Sequence, residues 1–379
     1  GEAGEVAEAS LLKLANSLGM LIAGPNGQGV VSTPASLCLQ IVAPYPPQGG
    51  ISVASQSGNF VSSFLNYAKQ SGVGIARAIS AGNATQVSVE NFLNYFASDD
   101  ETKVALTYIE NVGNGESLLR AMRNITAVKP LVVLKGGATA AGSKAAQSHT
   151  GAMASNDRVF LGSTRSSGAI KVSSVEEAFD AAATFATQPL PKGPNVVIMT
   201  TAGGWGVVTS DAITRDGQLK LMELPEDLKA QIDTKLPPRW SKGNPVDCAG
   251  GETRDTIPEV MGLIARHKNV DAVIYLGIGI QSNQARLMHE GKFYPDHGLE
   301  RIVAYHEKQD ERYAMTARDV SRKHGKPILI ATELAVTDPH NSGPASVRES
   351  GAYCYPTGAR AAASLAHLYE YAKYRGIAQ

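Results

Sequence analysis

GGISVASQSGNFVSSFLNYAKQ, residues 49–70, runs from a short strand at Ile51 to Ala54, through SQSGN, into a helical pattern from Phe60 to Gln70. The same order recurs along the chain. Val104 to Ile109 and Pro130 to Leu134 read as strands, and Ala169 to Val172 precedes the helical EEAFDAAATFA. LVVLK, residues 131–135, is apolar without alternation, as expected of a strand buried on both faces. Strands alternating with helices imply a parallel sheet covered by helices.

Outward from there, TQPLPKGPN (187–195) carries three prolines and a glycine and reads as a domain boundary. The pattern then restarts with VVIMT (196–200), AVIYLGI (272–278) and PILIAT (327–332) as strands. Residues 285–325 are charged and helical in character, and are expected to be an insertion on one face of the second domain. RAAASLAHLYEYAKYRG closes the chain as an amphipathic helix ending at a glycine. At the start, GEAGEVAEASLLKLANSLGM reads as a helix with Leu11, Leu12, Leu14 and Leu18 toward a core, followed by a short strand at Leu21 to Ala23. An opening without methionine is read as the middle of a longer sequence.

The chain has 379 residues, which suits two or three domains. Its 35 basic and 35 acidic residues cancel, so no global field draws it to nucleic acid or an anionic membrane. Anionic ligands must then be held by local devices. Three widely spaced cysteines, Cys38, Cys248 and Cys354, fit a reducing cytoplasm and no zinc spacing, so no metal ligands are assigned. No apolar run is long enough for a transmembrane helix.

Four stretches carry chemistry. Ser55, Gln56, Ser57, Gly58 and Asn59 lie between a strand end and a helix start, where α/β folds bind ligands and where a helix N-terminus favours phosphate. The plainer reading is a serine N-cap. TTAGGWGV, with Ala202, Gly203 and Gly204, repeats this arrangement after VVIMT. His149 sits in AAQSHTGAMA among small residues that let other backbone approach its ring; alone, such a histidine is more often structural. Glu110, at the tip of VALTYIE, faces the ligand crevice and could hold a histidine ring, or is a solvated strand end.

Together these segments resemble the succinyl-CoA synthetase superfamily, and most closely its NDP-forming acyl-CoA synthetases, the acetate–CoA ligase (ADP-forming) group. The match is carried, in the family's order, by GPNGQGV (24–30), GGISVASQSGNF (49–60), SAGNATQVSVENFLNYFASDDETKVALTYIE (80–110), KPLVVLKGG (129–137), AAQSHTGAMA (145–154), TTAGGWGV (200–207) and GNPVD (243–247). The resemblance implies two flavodoxin-like α/β domains with parallel sheets, at 36–190 and 191–379, after the tail of a Rossmann-type CoA-binding domain at 1–35. It implies an acid–thiol ligase that joins a small carboxylic acid to CoA at the expense of ATP, through an acyl phosphate and a phosphohistidine. His149 is the relay and Glu110 the residue that orients it. Ser55 to Gly58 and Ala202 to Gly204 open the two phosphate-facing helices. Asn26, Gly27, Asn59, Asn83 and Trp205 are expected at the CoA and substrate pocket.

Two family parts are missing from the sequence: the Gly-rich CoA loop and the ATP-grasp domain. ATP, ADP and Mg2+ are therefore expected mainly on an ATP-grasp domain or subunit, and the assembly is expected to be oligomeric and cytoplasmic. Gly27 stands where many relatives have cysteine, and Trp205 where proline is common. Trp205, and Trp240 with it, could line an acyl pocket for an aromatic or cationic acid, or could pack an interface. The alternatives are an α-type subunit with a separate ATP-grasp partner, a lyase or transferase variant, and a binding module that has lost catalysis.

Overall fold

A computed structural model describes residues 2–142, 144, 156–248, 250 and 255–379. The chain divides into two compact units, Gly1–Ala186 and Thr187–Gln379.

The first unit runs α1 (Glu2–Ser17), β1 (Gly29–Ser32), β2 (Leu37–Gln40), β3 (Gln48–Ser55), α2 (Gly58–Ser71), β4 (Ile75–Ser80), α3 (Val89–Ser98), β5 (Val104–Ile109), α4 (Gly115–Thr126), β6 (Leu131–Lys135), α5 (Asp157–Ser167), β7 (Ile170–Val172) and α6 (Val175–Thr187). Its sheet has the order β2-β1-β4-β3-β5-β6-β7. From β4 to β7 every pairing is parallel. Every residue of β5 and β6 is buried, as the unbroken apolar runs require. One face of the sheet, with Ala54, Ala105 and Val133, packs under Leu93 and Phe96 of α3 and Leu118, Met122 and Ile125 of α4. The alternate residues Val53, Leu106 and Val132 are also fully buried, so both faces are covered.

The parallel-sheet expectation needs one amendment here. β1 pairs antiparallel with both β2 and β4, which makes the first sheet mixed. The link from β1 to β2 is four residues, far too short for a parallel crossover, so the two must form a hairpin. The opening helix also differs from expectation. Leu11, Leu14 and Leu18 are exposed and Ala15 is the buried residue. Residues 21–23 form no strand. Gly19 does end the helix region in the left-handed conformation, with φ of 65°.

The second unit runs β8 (Asn195–Thr200), α7 (Gly203–Thr214), β9 (Lys220–Leu221), α8 (Glu226–Asp233), β10 (Val246–Asp247), α9 (Thr256–Arg266), β11 (Ala272–Leu276), α10 (Ile280–His289), α11 (Leu299–His324), β12 (Ile328–Ala331), α12 (Leu334–Thr337), α13 (Ser342–Glu349), β13 (Cys354–Tyr355) and α14 (Gly358–Tyr374). Its strand order is β10-β8-β11-β12-β13, with β9 also on β8, and all pairings are parallel. Val197, Met199, Val273, Tyr275, Ile328 and Ile330 share one core with α9 and α11.

That core corrects the reading of 285–325 as an insertion. α11 lies in the connection from β11 to β12, and its Tyr313, Ala314 and Ala317 are buried. Its charged residues masked an apolar stripe that is part of the crossover. Both units carry the flavodoxin-like order, in which the first strand lies inside the sheet: β4-β3-β5-β6-β7 in one, β9-β8-β11-β12-β13 in the other. The direction of winding therefore reverses between β3 and β5, and between β8 and β11. Such reversal points open a crevice at the carboxyl ends of the strands.

Candidate active site

At the first reversal point, β3 ends on Ser55, whose side chain is fully buried. Its Oγ donates to the Ser57 carbonyl at 2.7 Å and accepts the Ser57 N–H at 3.1 Å. The next N–H, of Gln56, donates to the Tyr108 carbonyl of β5 at 3.1 Å. This hydroxyl clamp turns the chain into α2. Ser57 is the N-cap residue, but its side chain makes no capping bond. The serine-cap reading is thus replaced by a helix start whose first-turn N–H groups receive no side-chain cap.

The second reversal point is built the same way. Thr200 ends β8, and its Oγ1 donates to the Ala202 carbonyl and accepts the Ala202 N–H, both at 2.9 Å. The Thr201 N–H donates to the Leu276 carbonyl of β11 at 3.1 Å. Ala202 is the N-cap of α7 and offers no side-chain cap either. Asp247 Oδ2 lies 2.7 Å from where a Cβ on Gly203 would stand, which places a carboxylate beside the helix start.

α10, which also begins at this crevice, is different. Asp310 of α11 is fully buried and accepts the N–H groups of Gly279 and Ser282 at 2.9 Å each, as well as the Ser282 hydroxyl. Burial pushes the Asp310 carboxyl up, against these hydrogen bonds, which pull it down. The start of α10 is therefore already satisfied from within the protein, whereas among the described residues the N-cap of α7 supplies no side-chain cap.

Glu110 follows β5 and is held by backbone and side chain. Its N–H and that of Asn111 both donate to Gln56 Oε1, at 2.7 and 2.9 Å, and Gln56 Nε2 donates to the Asn111 carbonyl at 2.9 Å. Gln56 thus ties the strand tip rather than standing out toward a ligand. The Tyr108 hydroxyl donates to Glu110 Oε1 at 2.9 Å. Burial, then the Glu110 charge, pushes the Tyr108 phenol up and keeps it a donor. A Cβ on Gly136 would lie 2.5 Å from that hydroxyl, so the bare glycine at the tip of β6 makes room for it. Beside it, Lys135 is buried with its Nζ on the Gly136 carbonyl at 2.8 Å, and burial pushes its ammonium down. His149, the expected relay, lies outside the described residues.

Of the expected pocket residues, Asn59 Oδ1 accepts from Gln28 Nε2 at 2.8 Å, while Gln28 Oε1 accepts the Ser62 hydroxyl at 2.9 Å. The side chain of Gln28 fills the space a Cβ on Gly58 would need. Asn26 reaches Asn83 at 3.4 Å, and Asn83 donates to Glu8 at 2.8 Å. Gly27 packs on the Ser80 carbonyl, which a Cβ would approach to 2.7 Å. Trp205 lies in the first turn of α7, 37% exposed, and lines a small pocket of about 50 Å³ with Ala202, Leu276, Ile278, Ile280, Glu333 and Leu334. Trp240 does not join it: it is buried in the core, and its Nε1 donates to Asp233 at 2.6 Å. Sequence reasoning missed Gln28, Tyr108, Lys135, Gly136, Asp310 and Glu333. Only Gly136, in a glycine pair at a strand tip, left a local signal.

Two flavodoxin-like units with a clamped helix start at each reversal point define CoA-ligase domains of the succinyl-CoA ligase type. The succinyl-CoA ligase-like flavodoxin domain matches residues 48–185, and the ligase-CoA domain matches 196–280. In sequence and structure the chain matches the CoA-ligase domains of the ADP-forming acyl-CoA synthetase (acetate–CoA ligase) family. It is 32% identical to 4-hydroxybutyrate–CoA ligase (ADP-forming) of Nitrosopumilus maritimus, over 72% of this chain and 39% of that protein. It is 33% identical to the alpha subunit of acetate–CoA ligase (ADP-forming) II of Pyrococcus furiosus, over 72% of this chain and 59% of the subunit. The dinucleotide-forming acetyl-coenzyme A synthetase 1 of Candidatus Korarchaeum cryptofilum, solved with phosphate and ADP, superposes with a TM-score of 0.77. That match covers 98% of this chain and 75% of the other, at 26% identity. The chain thus spans 39% and 59% of the two curated relatives.

Proposed function

We propose that this chain is the CoA-ligase part of an ADP-forming acyl-CoA synthetase, an α-type portion that works with an ATP-grasp domain or subunit. The observation that carries this reading is the repeated clamp. Ser55 and Thr200 each turn a strand end into a helix whose start is left open to an anion. A phosphoryl group in transfer spreads charge over its oxygens, and fixed N–H dipoles stabilise that charge without reorganising.

In the synthetic direction, His149 receives a phosphoryl group that originates on ATP and passes it to a carboxylate oxygen of the acid. The thiolate of CoA then attacks the acyl carbon, and phosphate leaves with the former carboxylate oxygen. Glu110, fixed by Tyr108 and Gln56, orients the histidine. α2 and α7 receive phosphoryl oxygens, and the acyl group of an aromatic or cationic acid lies against Trp205. Asn26, Gly27, Asn59 and Asn83 border the CoA path. Asp247 places negative charge beside the start of α7, so a phosphate there is best accommodated with Mg2+ brought by the nucleotide.

The test uses acetyl phosphate as the phosphoryl donor, with intact-mass measurement at alkaline pH on wild type and His149→Ala. An acid-labile phosphoryl adduct is expected on wild type alone. An adduct on both proteins, or on neither, overturns the relay.

A further inference from the structure

The pocket beside α7 holds one feature that a phosphoryl relay does not use. Its wall is apolar, from Leu276, Ile278, Ile280 and Leu334, with the half-exposed indole of Trp205 on one side. Glu333, an exposed residue just beyond β12, is the one acidic residue in this lining. The Thr332 hydroxyl approaches that carboxylate at 3.5 Å, too long for a strong bond. Among the described residues no cation pairs with it.

We propose that this pocket receives the tail of a carboxylic acid ending in a cationic nitrogen, an ammonium or guanidinium group, and that Glu333 selects it. An apolar tail of the same shape gains nothing from Glu333, which is exposed and keeps its own hydration. A cationic tail instead gains the carboxylate and the indole face together. Ala202, the N-cap of α7, lines the same pocket, so that an acid's carboxylate there meets the positive end of the helix. α10 cannot compete for that carboxylate, because Asp310 already fills its start. The placement of the acid end rests on the ligase reading; the preference for a cation rests on Glu333 and Trp205 alone.

The test is calorimetric titration of the full chain with 4-guanidinobutyrate, 4-aminobutyrate and 5-methylhexanoate, whose tail carries no charge, on wild type and Glu333→Gln. Trp205 fluorescence serves as a second readout, Trp240 being buried in the core. The acids with cationic tails are expected to bind about tenfold tighter than the one with an uncharged tail, with a margin that shrinks as salt is raised. Glu333→Gln should erase the margin. Equal binding of all three, binding of none, or a margin that survives Glu333→Gln overturns the proposal. An acetyl-phosphate adduct without cation preference sinks this inference alone. Cation preference without an adduct keeps the pocket and removes the ligase reading.

Discussion

The contact of Tyr108 with Glu110 depends on an atom that is missing. Gly136 supplies no Cβ, and one placed there would stand 2.5 Å from the phenol oxygen and 3.3 Å from Glu110 Cγ. Gly136→Ala should therefore destabilise the first unit by about 1–3 kcal/mol, the usual cost of overpacking, and reduce phosphoryl adduct formation. Tyr108→Phe removes one hydrogen bond and should cost about 0.5–1.5 kcal/mol. The two changes share one cause, so the double variant should lose less than the sum of the singles in urea unfolding. Strict additivity would show that the glycine is not there for the phenol. The position of Glu110 at the strand tip was legible in the sequence, because it directly follows a largely apolar run. Tyr108 was not, since its role depends on a glycine one strand further along the chain, at the tip of β6. Gln28 was hidden for the same reason: its partners Asn59 and Ser62 lie 31 and 34 residues on.

The elements were legible in proportion to their length and burial. β5 and β8, long and almost wholly buried, were read within a residue of their ends. β9, β10 and β13 have two residues each, too few to show any period. α11 was obscured because its charged positions outnumber the stripe of Tyr313, Ala314 and Ala317 that it buries. The same helix supplies Asp310, and this makes a prediction about α10. Asp310→Ala removes an acceptor of two backbone N–H groups and a hydroxyl in a fully buried setting. It should lower the stability of the second unit by about 2 kcal/mol, as loss of a strong helix cap does. Denaturant unfolding would show this as a lower midpoint at unchanged slope. A wild-type midpoint would mean that the α10 start is satisfied by other groups.

At the level of the chain, the proline-rich segment 187–195 reads as a break because prolines and a glycine cannot continue either flanking pattern. The compact units meet at Ala186 and Thr187, at the end of α6. What composition could not show is how the segment is fastened: Gln188 Oε1 accepts the Ile328 N–H of β12 at 3.0 Å, so the first residues after the division belong with the second sheet. That unit encloses its own core, from Val197 and Met199 through Tyr275 to Val347 and Cys354, without drawing on residues before 187. A fragment of residues 187–379 should accordingly fold by itself. Its length lies within the ordinary range for an independent domain. Thermal unfolding followed by circular dichroism should give one cooperative transition, and α7 should keep its open start, so the Trp205 fluorescence response to cationic acids should persist in the fragment. A fragment that melts without cooperativity would mean that the second core is completed by the first unit, and the two clamped helix starts would then have to be treated as parts of a single folding unit.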